Sequence, residues 1–131
     1  MSFVALGTQN PQILNIDWLK NNEILPDNEP FNSLLKQEKP FNKFISTPPF
    51  THLVLGNVAL IVEQERFQVR QDGISDWNNS CILEIARNYY SKLPHTPLNK
   101  AGVNLNFLVT FDNLEEARKL EALFVPADAR I

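Results

Sequence analysis

The chain has 131 residues, 44% of them hydrophobic and 21% charged, with 12 basic against 15 acidic side chains and a net charge of −3. That length suits one domain with its own core, and that hydrophobic content excludes a wholly disordered chain. The acidic balance, with a sequence pI of about 5.3, supplies no overall basic face for phosphates, which argues against nucleic acid as a partner.

The opening MSFVALGTQNPQ has no basic region and only a short apolar stretch before Gly7 and Thr8, so it does not read as a signal peptide. No apolar run approaches the roughly 20 residues that span a bilayer. Cys81 is the only cysteine, which excludes an intramolecular disulfide and multi-cysteine zinc motifs. The expected setting is the reducing cytoplasm, with no membrane contact. Nine prolines against four glycines suggest ordered, proline-punctuated loops.

Along the chain, Leu14, Ile16 and Trp18 alternate within residues 11–19 and predict a first strand near a sheet edge. Residues 20–30 are rich in Asn, Asp and Pro and predict a loop. The apolar spacing from Phe31 to Ile45, interrupted by Pro40, predicts one or two short helical turns and no long helix. Thr47-Pro48-Pro49 is expected to hold extended backbone.

Residues 52–55 and 58–62 are β-rich and flank Gly56-Asn57, a two-residue hairpin signal in which glycine supplies the positive φ of a II′ turn. The nearly all-apolar second run predicts a central strand covered on both faces or by a partner. Gln64-Glu65 is a second turn, Arg66–Arg70 alternates with Phe67 and Val69 inward, and Asp72-Gly73 ends that strand.

Ile74, Trp77, Cys81, Ile85, Tyr89 and Leu93 recur at helical spacing and predict one long helix, capped by Ser75 or Asp76 and ended by Leu93-Pro94. The loop PHTPLNK then leads into Ala101–Phe111. There Val103, Leu105, Phe107, Val109 and Phe111 occupy one face of a strand, and Asn104, Asn106 and Thr110 the other, with Leu108 as the exception. The first face is expected to floor two helices; the second, Asn104, Asn106, Leu108 and Thr110, is the candidate partner surface. Asp112 with Glu115 resembles a capping box. It would open a helix through Phe124 with Leu114, Ala117, Leu120, Leu123 and Phe124 on its apolar side, before Pro126 and a terminal ADARI.

The predicted order is β, irregular, βββ, α, β, α. It implies one α+β domain over residues 1–131, with a partly irregular segment 1–50 packed on it. The sheet is expected to be mostly antiparallel, of four to five strands, with two main helices on one face.

The chemistry-bearing residues are few. Cys81 and His95 are the formal nucleophile and base pair, but Cys81 lies on the predicted apolar stripe and reads as a small buried hydrophobe. His52 and His95 lack the local spacing of a metal-ligand pair and are expected at the surface. His95 and Thr96 sit in a proline-held loop, a candidate functional loop. Four dispersed glycines (7, 56, 73 and 102) form no phosphate loop, so no cofactor or metal is expected. Lys36, Lys39 and Lys43, interleaved with Phe41 and Phe44, make a weak basic strip beside Glu38, better read as a solvated face than as a nucleic-acid site.

The succession of a strand ending ERFQV, a helix with paired tyrosines and a strand GVNLNF resembles a sporadic bacterial protein family of unknown function over residues 51–111. That resemblance implies no catalytic or binding residue. In size and acidity the chain is also similar to small cytoplasmic chaperones of secreted proteins, though it lacks their long N-terminal helix. Three readings follow. The first is a non-enzymatic interaction module, self-associating as a homodimer or higher oligomer or gripping another protein. The second is a chaperone or adaptor for a bacterial client. The third is a small-molecule-binding protein or small enzyme using His95, Tyr89 or Arg66 in a cleft between sheet and helices.

Overall fold

The computed structural model describes residues 1–74, 76–105 and 112–124, without the side chains at 77, 120, 121, 123 and 124. It is an α+β fold built on a six-stranded sheet, β1 Ser2–Gly7, β2 Lys43–Thr47, β3 Phe50–Leu55, β4 Val58–Glu63, β5 Arg66–Gln71 and β6 Leu98–Asn104. The strands lie in the order β2-β3-β4-β5-β1-β6, and every neighbouring pair is antiparallel. The helices are α1 Ile16–Asn21, α2 Glu29–Leu35, α3 Ile82–Ser91 and α4 Leu114–Phe124. No helix among the described residues is long and apolar enough to cross a membrane.

The three central strands form as expected. Gly56 turns the β3–β4 hairpin at φ 57°, and β5 buries Phe67 and Val69 completely while exposing its polar alternates in part. β4 is sealed on its inner side by Val58, Leu60 and Val62, and Ala59 is only 3% exposed on the other.

The N-terminal fifty residues are more regular than the sequence suggests. β1 inserts between β5 and β6, so the apolar stretch at Phe3–Leu6 is a central strand. The strand expected over residues 11–19 is instead a 3-10 turn at Pro11–Ile13 followed by α1. Two asparagines decide this: Asn10 Oδ1 accepts from the Gln12 amide, and Asn15 Oδ1 accepts from the Trp18 amide at 2.8 Å. Such side chains satisfy the free donors of a helix start and outweigh a three-residue alternation. Residues 43–47 form β2, and Pro48-Pro49 is the turn of the β2–β3 hairpin, where extended backbone was expected.

The long helix predicted from residue 75 or 76 begins later. A 3-10 turn at Trp77–Asn79 precedes it, with Asp76 Oδ1 accepting from the Asn78 amide. Asn78, Asn79 and Ser80 are poor helix-interior residues, and α3 proper starts at Ile82. Ser80 Oγ accepts from the Ile82 amide at 3.3 Å, and another element holds the residues that lead into the helix. Gln71 Oε1, at the end of β5, accepts from the Cys81 amide at 3.0 Å, from Ser80 Oγ at 3.2 Å and from Cys81 Sγ at 3.4 Å. Gln71→Ala is expected to cost about 1–2 kcal/mol, the range for losing a helix cap or buried acceptor. Gln71→Glu, which keeps the acceptor, is expected to cost less. Equal urea midpoints for the wild type and Gln71→Ala would remove Gln71 from this role.

α3 lies against β5 and β1, and the 3-10 turn at Pro11–Ile13 lies against β2 and β3. Their shared core with α1 and α2 holds Leu14, Leu19, Ile24, Phe31, Ile82 and Ile85 against the inner sheet residues. At its centre Tyr89 stacks on Phe67 with centroids 4.4 Å apart, and Trp18 meets Tyr89 edge-on at 5.5 Å. Thr51 Oγ1 donates to the Pro11 carbonyl at 2.6 Å, and Asn88 Nδ2 donates to the Ile24 carbonyl at 3.1 Å, so the N-terminal segment is tied to sheet and helix alike.

β6 departs from expectation. It begins at Leu98, and all seven of its residues are exposed. Val103 is 44% and Leu105 41% exposed, so neither is floor beneath a helix. α4 is capped by Asn113, whose Oδ1 accepts from the Glu116 amide at 2.9 Å, where Asp112 was expected. Leu114 is 66% exposed, not on an inner side.

Candidate functional site

The candidate catalytic groups are not brought together. Cys81 precedes the first turn of α3 and His95 follows its last, so a ten-residue helix, about 15 Å long, separates them. Burial pushes the Cys81 thiol up, and Glu84 pushes it further, which keeps it protonated and a poor nucleophile. The apolar environment read from the sequence is only partly present, since Cys81 is half-buried and bonded to Gln71.

His95 is exposed at the Pro94-His95 turn, while Thr96 is half-buried and its amide donates to the Leu93 carbonyl at 3.1 Å. This loop is tied to β1: the Thr8 amide donates to the Pro97 carbonyl at 3.1 Å. Tyr89 lies in the core, where burial raises its phenol well above the usual tyrosine range. Arg66 alternates with Phe67 and therefore projects from the opposite face, where its Nη2 donates to Gln68 Oε1 at 2.8 Å. Sheet pleating thus separates Tyr89 from Arg66. Among the described residues, no group of three or more His, Cys, Asp or Glu is placed to hold a metal.

The basic strip is divided in the same way. Lys36 follows α2, Lys39 lies in the next loop, and Lys43 opens β2. Phe44 projects to the helix-covered side, packing on Phe41 at 5.6 Å, so Lys43 projects to the other. A groove of about 390 Å³ between α1, α2 and α3 is lined by Lys20, Glu23, Asp27, Asn32, Glu84 and Asn88. Its two amides are already engaged, Asn32 with Asp27 and Asn88 with Ile24.

The distinctive surface is the sheet face opposite the core. Cross-strand register arranges its side chains in rows. The middle row runs Ile45, His52, Ile61, Gln68, Val4 and Gly102. One flanking row runs Lys43, Val54, Ala59, Arg70, Ser2 and Asn104; the other carries Arg66, Leu6 and Lys100 from β5 to β6. Ile45 is 41% and Leu6 40% exposed, and Phe50, at the corner beside Glu63, is 37% exposed. His52 Nε2 is buried without a hydrogen-bond partner among the described residues. Burial, then Lys43 and Arg70, lower its pKa, which favours the neutral imidazole.

Asn104, expected on a partner surface, ends one row of this face at the exposed sheet edge. Asn106, Leu108 and Thr110 lie outside the described residues. Sequence reasoning missed Lys43, Arg66, Arg70 and Lys100 as one surface. Their common feature is outward parity on three strands, β2, β5 and β6, of which β2 was not predicted and Lys100 was read as part of the loop before β6. No family model matches the chain, and neither a search of curated proteins nor one of solved structures finds a match.

Proposed function

We propose that the chain is a non-catalytic interaction module that self-associates by pairing β6 with β6 of a second copy. The observation that carries this reading is the exposed β6 edge, which presents Leu98 and Val103, each 44% exposed, beside its outer backbone groups, with Leu105, 41% exposed, just beyond its end. An edge strand of this kind is a template for another strand. A two-fold antiparallel pairing centred on Ala101 brings the two Ala101 residues together and sets each Lys100 opposite a Gly102. The one charge on β6 then meets no like charge, and the two sheets join into one.

Gly102 supplies the test, because a Cβ there would meet nothing within 4 Å, so the folded chain tolerates a side chain. Gly102→Lys sets two like-charge pairs across the axis, each costing up to about 1 kcal/mol. It is expected to weaken the dimer about tenfold in sedimentation velocity. Gly102→Glu, which sets opposite charges, is expected to hold or tighten it. A wild type that stays monomeric at several hundred micromolar, or equal dimerisation of both variants, would sink the reading.

A further inference from the structure

We propose that the sheet face opposite the core binds an acidic amphipathic helical segment of a partner protein. Its charge opposes that of the whole chain. Lys43, Arg66, Arg70 and Lys100 project from it, against Glu63 and an Asp72 held 3.4 Å from Arg70, while the chain carries −3 overall. Between the two rows that hold these cations lies the middle row, apolar at Ile45, Ile61 and Val4 and widened by Val54 and Leu6.

The dimensions suit a helix. Alternate residues on a strand are about 6.7 Å apart, so the flanking rows stand ~13 Å from each other, close to the 10–12 Å diameter of a helix with its side chains. Six strands span about 24 Å, the length of ~16 helical residues. A helix lying along the middle row sets an apolar stripe on Ile45, Ile61 and Val4. Its flanking carboxylates then reach Lys43 and Arg70 on one side and Arg66 and Lys100 on the other.

Two other occupants fit less well. A second copy face to face would bring like-charged rims together. Single-stranded nucleic acid takes its affinity from aromatic platforms as well as cations, and the rings this face offers are His52, with its Nε2 buried, and Phe50 at a corner.

The test uses the full chain and a fluorescein-labelled 16-residue helical peptide with leucines on one face and glutamates on the other. Comparators are its lysine counterpart and a 20-nucleotide oligothymidylate, all followed by fluorescence anisotropy at 50 and 500 mM NaCl. The glutamate peptide is expected to bind at least tenfold tighter than either comparator and to weaken at high salt. Arg66→Glu combined with Lys100→Glu should weaken it at least tenfold. Lys36→Glu combined with Lys39→Glu, away from the face, should change it less than twofold.

The same peptide is titrated into Ala101→Lys, which sets two lysines together on the β6 axis while projecting from the opposite face, as its pairing with the buried Ala5 shows; retained binding separates this face from the β6 contact. No peptide binding, equal binding of the lysine peptide, tighter binding of the oligonucleotide, or equal losses in both double variants would overturn the proposal. So would a dimer abolished by Arg66→Glu with Lys100→Glu but intact in Ala101→Lys, since a second copy would then occupy the face.

Discussion

Gly7→Ala is expected to destabilise the protein by ~3 kcal/mol or more, the range reserved for single changes that strain the backbone or force a core apart. An added Cβ at Gly7 would stand 2.0 Å from the Pro97 carbonyl oxygen and 2.9 Å from Leu98 Cα. Both are backbone atoms, which no side-chain rotation can move aside. Gly7 also has φ 155°, and the β1–β6 register shifts between Leu6 and Gly7. Its amide donates to the Glu65 carbonyl at 3.0 Å while the next amide donates to Pro97. The residue therefore sits where the β4–β5 turn, β1 and the start of β6 converge. Gly102→Ala, on the neighbouring strand, is the control. With open space for its Cβ, it is expected within about 0.5 kcal/mol of the wild type or slightly stabilised. Urea unfolding of the two variants decides the matter, and similar midpoints would refute the close approach of Pro97 to Gly7.

The contrast between these glycines shows where the sequence was legible. Gly56-Asn57 was readable because a hairpin turn is encoded by adjacent residues, and the parity of Phe67 and Val69 because one strand repeats it. Gly7 was not, since its constraint comes from Pro97, ninety residues away. The anchor at the start of α3 was hidden for the same reason. Gln71 reaches it from another element, while Ser75 and Asp76 offered a local alternative. At residues 11–19 the alternation was real but short, and Asn10 and Asn15 won by satisfying amides directly. Asn104 could be placed on an exposed face from its own strand. The cationic rows could not, because they exist only once register aligns β2, β5 and β6 across one sheet, with β3, β4 and β1 between them.

Phe67→Ala is expected to destabilise the centre of the core severely, and Tyr89→Phe beside it not at all. Phe67 is fully buried, with ring contacts to Phe3 at 6.4 Å, Tyr89 at 4.4 Å and Tyr90 at 5.3 Å. Truncation removes the stacking partner of Tyr89 and leaves a cavity, at a cost of about 3–5 kcal/mol. Tyr89 is equally buried, but its hydroxyl has no hydrogen-bond partner among the described residues. Deleting that oxygen keeps the ring stack and removes an unsatisfied group, so Tyr89→Phe is expected to be neutral or to stabilise by ~1 kcal/mol. The two tyrosines also predict an alkaline limit. Burial raises both phenols above the ordinary value of 10.0, reinforced at Tyr89 by its neighbour and opposed at Tyr90 by the bond to Gln9. Above that value the unfolded chain releases phenolic protons that the folded chain retains, so stability is full below pH 10 and falls as pH rises further. Tyr89→Phe removes one such proton and should shift the alkaline unfolding midpoint upward. A downward shift, or a loss of several kcal/mol at neutral pH, would mean that the Tyr89 hydroxyl is satisfied in the folded protein.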